Sequence, residues 1–219
     1  MNLPAGLPEA WVWLGHALLA LAVLLAAWRA PWRRLATNEG SHVFLGAIVA
    51  LSLLWTMTGK VGPALQFHLL GATLAYLMFG APLAILAMIA VAGIAAATGT
   101  LPWASASLTA LVSGVLPVLT AHGVLKLAET KLPDNLFIYV FIAAFFGAAV
   151  AMIASAACAW LLIAASPPHG ATLGDDWLPM FVLLGFGEAT LTGMLAALFV
   201  VYRPTWVGTF SDDRYLRKP

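Results

Sequence analysis

Few side chains in this sequence can do chemistry: five histidines, one cysteine, and a glutamate, Glu188, set in the apolar run "LLGFGEATLTGML". His68, in "LQFHLLGATLAYLMFG", stands at the mouth of a run that otherwise reads as membrane interior. No Lys, Arg, Asp or Glu occurs between Lys60 and Lys126. A neutral imidazole is the commonest transition-metal ligand, so His68 reads either as a metal ligand reachable from outside or as an interfacial histidine bonded to water. His16, in "WLGHALLALAV", lies one or two turns into the first apolar run. It could face His68 at similar depth or bond a backbone carbonyl. His42 follows Ser41, a cap-type residue, at a water boundary, and His122 lies close to Lys126 and reads as solvated. His169 shares the loop "SPPHGATLGDDW" with Asp175 and Asp176, which reads as a solvated acidic loop. His16 with His68, and His42 with His122, also make two depth-matched pairs of the kind that hold a bis-histidine haem b. Cys158, in "ASAACAWLL", reads as a small packing residue, and one cysteine supports neither a disulfide nor a thiolate cluster. No nucleotide loop, nucleophile elbow or HExxH motif is present, so the chain does not read as an enzyme. Any use of ATP would need another chain.

The elements that must position these residues follow from composition. The 219 residues are 63% hydrophobic and 9% charged, against about 25% charged in soluble domains. The expectation is an all-α integral membrane protein, one domain over 1–219. A net charge of +1 excludes a nucleic-acid surface. The first apolar run follows Glu9 with no Lys or Arg before it, unlike the basic start of a cleavable signal peptide. A spanning helix needs about 20 mostly apolar residues, and seven such segments are read: 10–28, 42–58, 67–80, 82–98, 107–127, 136–165 and 179–202. Gly80 and Pro82 divide the third from the fourth, and the third is short for a span. With the N-terminus outside, Arg29, Arg33, Arg34, Lys126, Lys131, Arg203, Arg214, Arg217 and Lys218 fall on one side and Lys60 alone on the other. That bias predicts the C-terminus, with the tail 203–219, in the cytoplasm. Glu188 then lies near mid-membrane, at about 1.5 Å of rise per residue, where a carboxylate is expensive. It is expected inside the bundle, ordering a polar network. Gly147, Ala151, Ser155 and Ala159 recur every fourth residue, which lets helix backbones approach closely.

The stretch "FHLLGATLAYLMFGAPLAILAM" resembles the HLxGGxxAxxLLGPxxAxLxM pattern of the CbiM/NikM family, the substrate-binding membrane components of cobalt and nickel energy-coupling-factor (ECF) transporters. "LTALVSGVLPVLTAHGVLKL" resembles the helix after an outer loop in that family, and "GFGEATLTGMLAALFV" its last helix with a GEAxxT element. The resemblance implies a multi-pass permease of the cell's inner (plasma) membrane that binds a transition metal. It also implies two partners besides the lipid bilayer, a coupling transmembrane protein and cytoplasmic ATPases. Family members begin Met-His, and their tail folds into the bundle. There the terminal amine, the second residue and a histidine matching His68 hold the metal, four nitrogens in a plane that suit Ni(II) or Cu(II). This chain begins Met1-Asn2 and has "WASAS" where the family has GDGG. The implied metal ligands are therefore His68, Met1 and Asn2, with His16 the candidate replacement for the lost imidazole. Nickel, cobalt or copper is the implied ion, and the Met1 thioether would favour Cu(I). A metal-free accessory subunit with the same fold is the remaining alternative.

Overall fold

The computed structural model describes residues 1–61, 65–166 and 177–216. A tail leads into α1 (Glu9–Arg29), a short α2 (Trp32–Leu35) and α3 (Asn38–Thr56). A small antiparallel hairpin follows, β1 (Gly59–Val61) with β2 (Leu65–Phe67), Gly59 facing Phe67. Next come α4 (Ala72–Phe79) and α5 (Ala81–Ala97), then long helices α6 (Trp103–Lys131), α7 (Leu136–Ala164) and α8 (Trp177–Tyr202). A final turn of helix, α9, spans Asp212–Tyr215.

Local signals start and stop these helices. Thr37 caps α3 by accepting the Gly40 N–H, and Asn135 does the same for α7 through Phe137. Gly80, at φ 78°, ends α4, and Pro82 stands in the first turn of α5, where its missing N–H costs nothing. Two stretches relax to π geometry, Leu111–Val115 in α6 and Tyr139–Phe146 in α7. At the first, the Ser155 hydroxyl of α7 donates to the Val112 carbonyl. The row Gly147, Ala151, Ser155, Ala159 is buried, so its spacing serves packing within the chain.

Five helices, α1, α3, α6, α7 and α8, are long and apolar enough to cross a membrane, and α5 is a shorter apolar helix. The outer faces of α1 and α3 expose Leu14, Leu18, Leu24, Leu45 and Leu53. In water such a surface would be an aggregation hazard; in a bilayer it is the lipid contact. The third apolar segment departs from the sequence expectation. Instead of one span over 67–80 it forms β2, a turn, and the half-helix α4, about 12 Å long at 1.5 Å per residue. The break falls at Gly71, whose φ of +66° interrupts any helix. A Cβ there would stand 2.2 Å from Leu51 Cδ2. Every residue of α4 except Leu74 is buried, as befits a helix that is apolar all round.

The tail and the His68 turn lie at the end of the bundle where α1 and α6 begin and α3 and α5 finish. Arg29, Lys131 and Arg203 stand at the opposite end. There residues 204–216 fold back under α4. The Gly208 and Thr209 N–H groups donate to the Met78 and Leu77 carbonyls, and Arg214 pairs with Glu129 and Asp134. Arg217 and Lys218 of the charge count, and the loop with His169, Asp175 and Asp176, lie outside the described residues.

Candidate metal centre

The tail "MNLPAGLPEAW" turns inward, and Met1, Asn2 and Leu3 are all buried. Its backbone is held on two sides. Asn2 N–H donates to the Gln66 carbonyl at 3.0 Å, extending the hairpin by one bridge. Opposite, three hydroxyls of α6 bind it. Ser105 Oγ donates to the Leu3 carbonyl at 2.7 Å, Thr109 Oγ1 accepts from Leu3 N–H at 3.2 Å, and Ser113 Oγ donates to the Met1 carbonyl at 2.7 Å. These three sit at four-residue spacing, hence on one helix face. Gly6, at φ 86°, makes the bend that Pro4 and Pro8 flank.

His68 is 2% exposed and lies in the turn between β2 and α4. The turn is fixed from behind by Glu188 of α8, itself 1% exposed. One carboxylate oxygen accepts the Leu70 N–H at 2.8 Å and the other the Gly71 N–H at 2.7 Å. The Leu70 carbonyl accepts from Trp55 Nε1 at 3.1 Å. The Trp55 ring lies against the imidazole, centroids 4.4 Å apart and planes 44° apart. The carboxylate is thus inside the bundle with both oxygens on backbone donors, the condition under which a buried charge is tolerated.

Three donor atoms meet at the His68 ring. Its Nδ1 is 2.9 Å from the Leu69 carbonyl, which can only accept, so the proton belongs on Nδ1 and Nε2 keeps a lone pair. The Met1 amine is 2.6 Å from Nε2. Asn2 Oδ1 is 3.1 Å from the same nitrogen. The orientation of that amide is set by its other end, because Nδ2 donates to the Thr100 carbonyl at 3.0 Å and to Gln66 Oε1 at 3.3 Å. Two acceptors, Nε2 and Oδ1, therefore face each other with the amine beside them. Burial pushes the amine down from its ordinary value of 8.0 to about 4, desolvation outweighing the opposing pull of Glu188. At neutral pH it is an uncharged amine, able to offer a lone pair. An amine nitrogen, an imidazole nitrogen and an amide oxygen thus converge on one point.

The structure brings Met1, Asn2 and His68 together, but His16 does not join them. It is exposed on α1, its ring edge-on to Trp13. The helix face that turns inward carries Gly15, where a Cβ would meet Leu108 at 2.8 Å, and one residue further is about 100° of rotation. The haem reading fails on the same geometry. His42 is exposed and bonds the Asn38 carbonyl, while His122 pairs with Tyr76 at 3.0 Å. Neither pair of histidines forms. Among the described residues no three His, Cys, Asp or Glu come together to hold a metal; the groups beside the His68 ring are the terminal amine and the Asn2 side-chain amide.

Sequence reasoning missed Trp55, Gln66 and the hydroxyl row. A signal for the row existed: in "SASLTALVS" a hydroxyl recurs every fourth residue of a helix that otherwise packs apolar side chains. The row should anchor the tail. Each bond contributes about 1 kcal/mol net, so the triple variant Ser105→Ala, Thr109→Val, Ser113→Ala should keep the bundle yet loosen residues 1–7. Hydrogen exchange at Leu3 should accelerate by about 100-fold or more, while exchange in α7 stays unchanged.

The family described as CbiM, cobalt uptake substrate-specific transmembrane region, matches residues 2–206. A crystal structure described as a truncated transition metal transporter superposes with TM-score 0.74 at 16% identity, covering 92% of this chain and 98% of that one. A second, described as a transition metal transporter, gives TM-score 0.70 at 17% identity, covering 92% and 93%. At such identity the two structures bear on the fold. No curated protein matches the chain.

Proposed function

Because the chain belongs to the CbiM family of substrate-specific transmembrane regions for cobalt uptake, we propose that it binds a transition-metal ion through the Met1 amine, His68 Nε2 and Asn2 Oδ1 for import across the plasma membrane. It is a multi-pass membrane protein and the permease component of a metal-transport system. That family role points away from catalysis. The observation that carries the site is the convergence of three possible donor atoms: Nε2 and Oδ1 stand 3.1 Å apart with the amine 2.6 Å from the imidazole. A cation placed among them satisfies all three.

Two nitrogens and one amide oxygen suit borderline divalent ions, Ni(II), Co(II) or Cu(II), better than Cu(I), which prefers thiolate and thioether donors. The site holds no carboxylate, so the ion's charge is balanced from a distance, and Glu188 behind the His68 turn is the buried acid that can do so. The basic end of the bundle faces the cytoplasm on this reading, and the tail receives the ion from outside. A coupling transmembrane protein and cytoplasmic ATPases drive release inward. The tail 1–9 acts as part of the single membrane domain.

Asn2 is the position to test. Asn2→His adds an imidazole where an amide oxygen now stands, so affinity for Ni(II) should rise by about tenfold or more, about 1.4 kcal/mol. The second substitution His68→Ala should erase that gain. Unchanged Ni(II) affinity in Asn2→His, read by titration of the purified protein, would contradict the assignment of residue 2 as a ligand.

A further inference from the structure

The peptide that joins Met1 to Asn2 is held at both ends. Its carbonyl accepts from Ser113 Oγ of α6 at 2.7 Å, and its N–H donates to the Gln66 carbonyl of β2 at 3.0 Å. A trans peptide points these two groups in opposite directions, so an anchor on each side fixes its plane. This decides which atom of residue 2 is free to meet a cation. A terminal amine and the next backbone nitrogen make a tight chelate for a planar ion, but only after that nitrogen gives up its hydrogen, because a backbone N–H is a donor and offers no free lone pair. Here the hydrogen is in use. Turning the nitrogen onto an ion would break the Gln66 bond and the bridge that joins the tail to the hairpin. The same rotation would carry the carbonyl off Ser113.

The Asn2 side chain is placed the other way. Its Nδ2 donates to the Thr100 carbonyl at 3.0 Å and to Gln66 Oε1 at 3.3 Å. A carbonyl can only accept, so Thr100 opposes the flipped amide and keeps Oδ1 toward His68 Nε2, at 3.1 Å. Two donors at right angles, each about 2.0–2.1 Å from one ion, stand about 2.9 Å apart. The amine and Oδ1, at 2.6 Å and 3.1 Å from Nε2, bracket that spacing. No second imidazole joins them among the described residues, for His16 is exposed on α1 and His122 bonds Tyr76. Coordination geometry follows ligand type. An amine, one imidazole and a neutral amide oxygen are too few and too weak to hold Ni(II) in its planar form.

Given the metal-binding role proposed above, we infer that residue 2 meets the ion through its side-chain oxygen, with its backbone nitrogen left in the hairpin. The cargo is then a divalent ion held by three protein donors and part of its own water shell. Such a site has no planar preference to set Ni(II) apart, and Co(II) competes for it at the ordinary interval of the divalent series. The Thr100 carbonyl and Gln66 are positioning groups, since they choose which end of the amide faces the ion.

The test uses the full chain purified in detergent, loaded with Ni(II) or Co(II) and freed of unbound ion. The Ni(II) complex should be paramagnetic, read as a bulk susceptibility shift by proton NMR. In competition, Co(II) should bind within about tenfold of Ni(II), one step along the series. Asn2→Ala removes the oxygen and leaves the backbone nitrogen, so affinity for both ions should fall by about tenfold or more, the least that losing even a supporting group costs a metal site. The magnetic reading needs no variant and decides the matter even where Asn2→Ala fails to fold. A diamagnetic Ni(II) complex, or parental Ni(II) affinity in Asn2→Ala, would overturn the side-chain assignment while metal binding itself stands. A chain that retains neither Ni(II) nor Co(II) would overturn the metal-binding role, and the assignment with it.

Discussion

His68→Ala should lower transition-metal affinity by at least about 100-fold, about 2.7 kcal/mol, and stop metal uptake in cells that depend on this permease. The size follows from the small donor set. Altering a group behind a metal ligand already costs about 10–100-fold, and His68 supplies the one imidazole among the three donor atoms. Removing it leaves an amine and an amide oxygen, neither held in place by the other. The substitution also frees the Leu69 carbonyl and the face of Trp55, so the variant's melting temperature must be read beside its affinity. His68→Gln is the control for shape. It fills much of the same space with an amide, so the fold should be kept and binding still lost. Metal uptake by His68→Ala equal to that of the parent chain would remove the site from this account.

Glu188→Ala should be nearly as damaging, by another route. Its two oxygens hold the Leu70 and Gly71 N–H groups. Each donor left buried and unpaired costs about 1–3 kcal/mol, so the expected loss of stability is roughly 2–6 kcal/mol. The turn that aims His68 then relaxes, and metal affinity should fall by about 10–100-fold in the fraction that remains folded. Glu188→Gln should be intermediate. A carboxamide offers one acceptor oxygen, and its NH₂ is set against a second N–H, so one of the two bonds is kept. Titrating metal into both variants, with melting followed in parallel, checks the order Ala below Gln below Glu. Parental affinity and stability in Glu188→Gln would mean that the turn does not need this clamp.

Most of the architecture was legible because membrane physics leaves a strong trace. Long apolar runs and the Gly80–Pro82 break each act through a local rule. The order His68, Gly71, Gly187, Glu188, Thr192 carried the family resemblance. What the sequence did not disclose depends on rotation and on irregular backbone. His16 reads as depth-matched with His68, but depth says nothing of azimuth. Gly15 settles that by letting α1 lie against Leu108 and Ser107, which turns His16 outward. The half-helix α4 was hidden because "FHLLGATLAYLMF" is apolar throughout. Its break depends on the positive φ at Gly71 and on a carboxylate more than a hundred residues away in the chain. Trp55 looked like one more apolar residue at a helix end, though its indole N–H and ring both serve the His68 turn.

X-ray absorption at the K-edge of bound Ni(II) or Cu(II) tests the central claim most directly, because imidazole scattering counts the histidines on the metal. A single imidazole is expected, with nitrogen donors at about 2.0–2.1 Å, and the imidazole signal should be lost in His68→Ala. Two or more imidazoles on the ion, or a spectrum unchanged by His68→Ala, would contradict it.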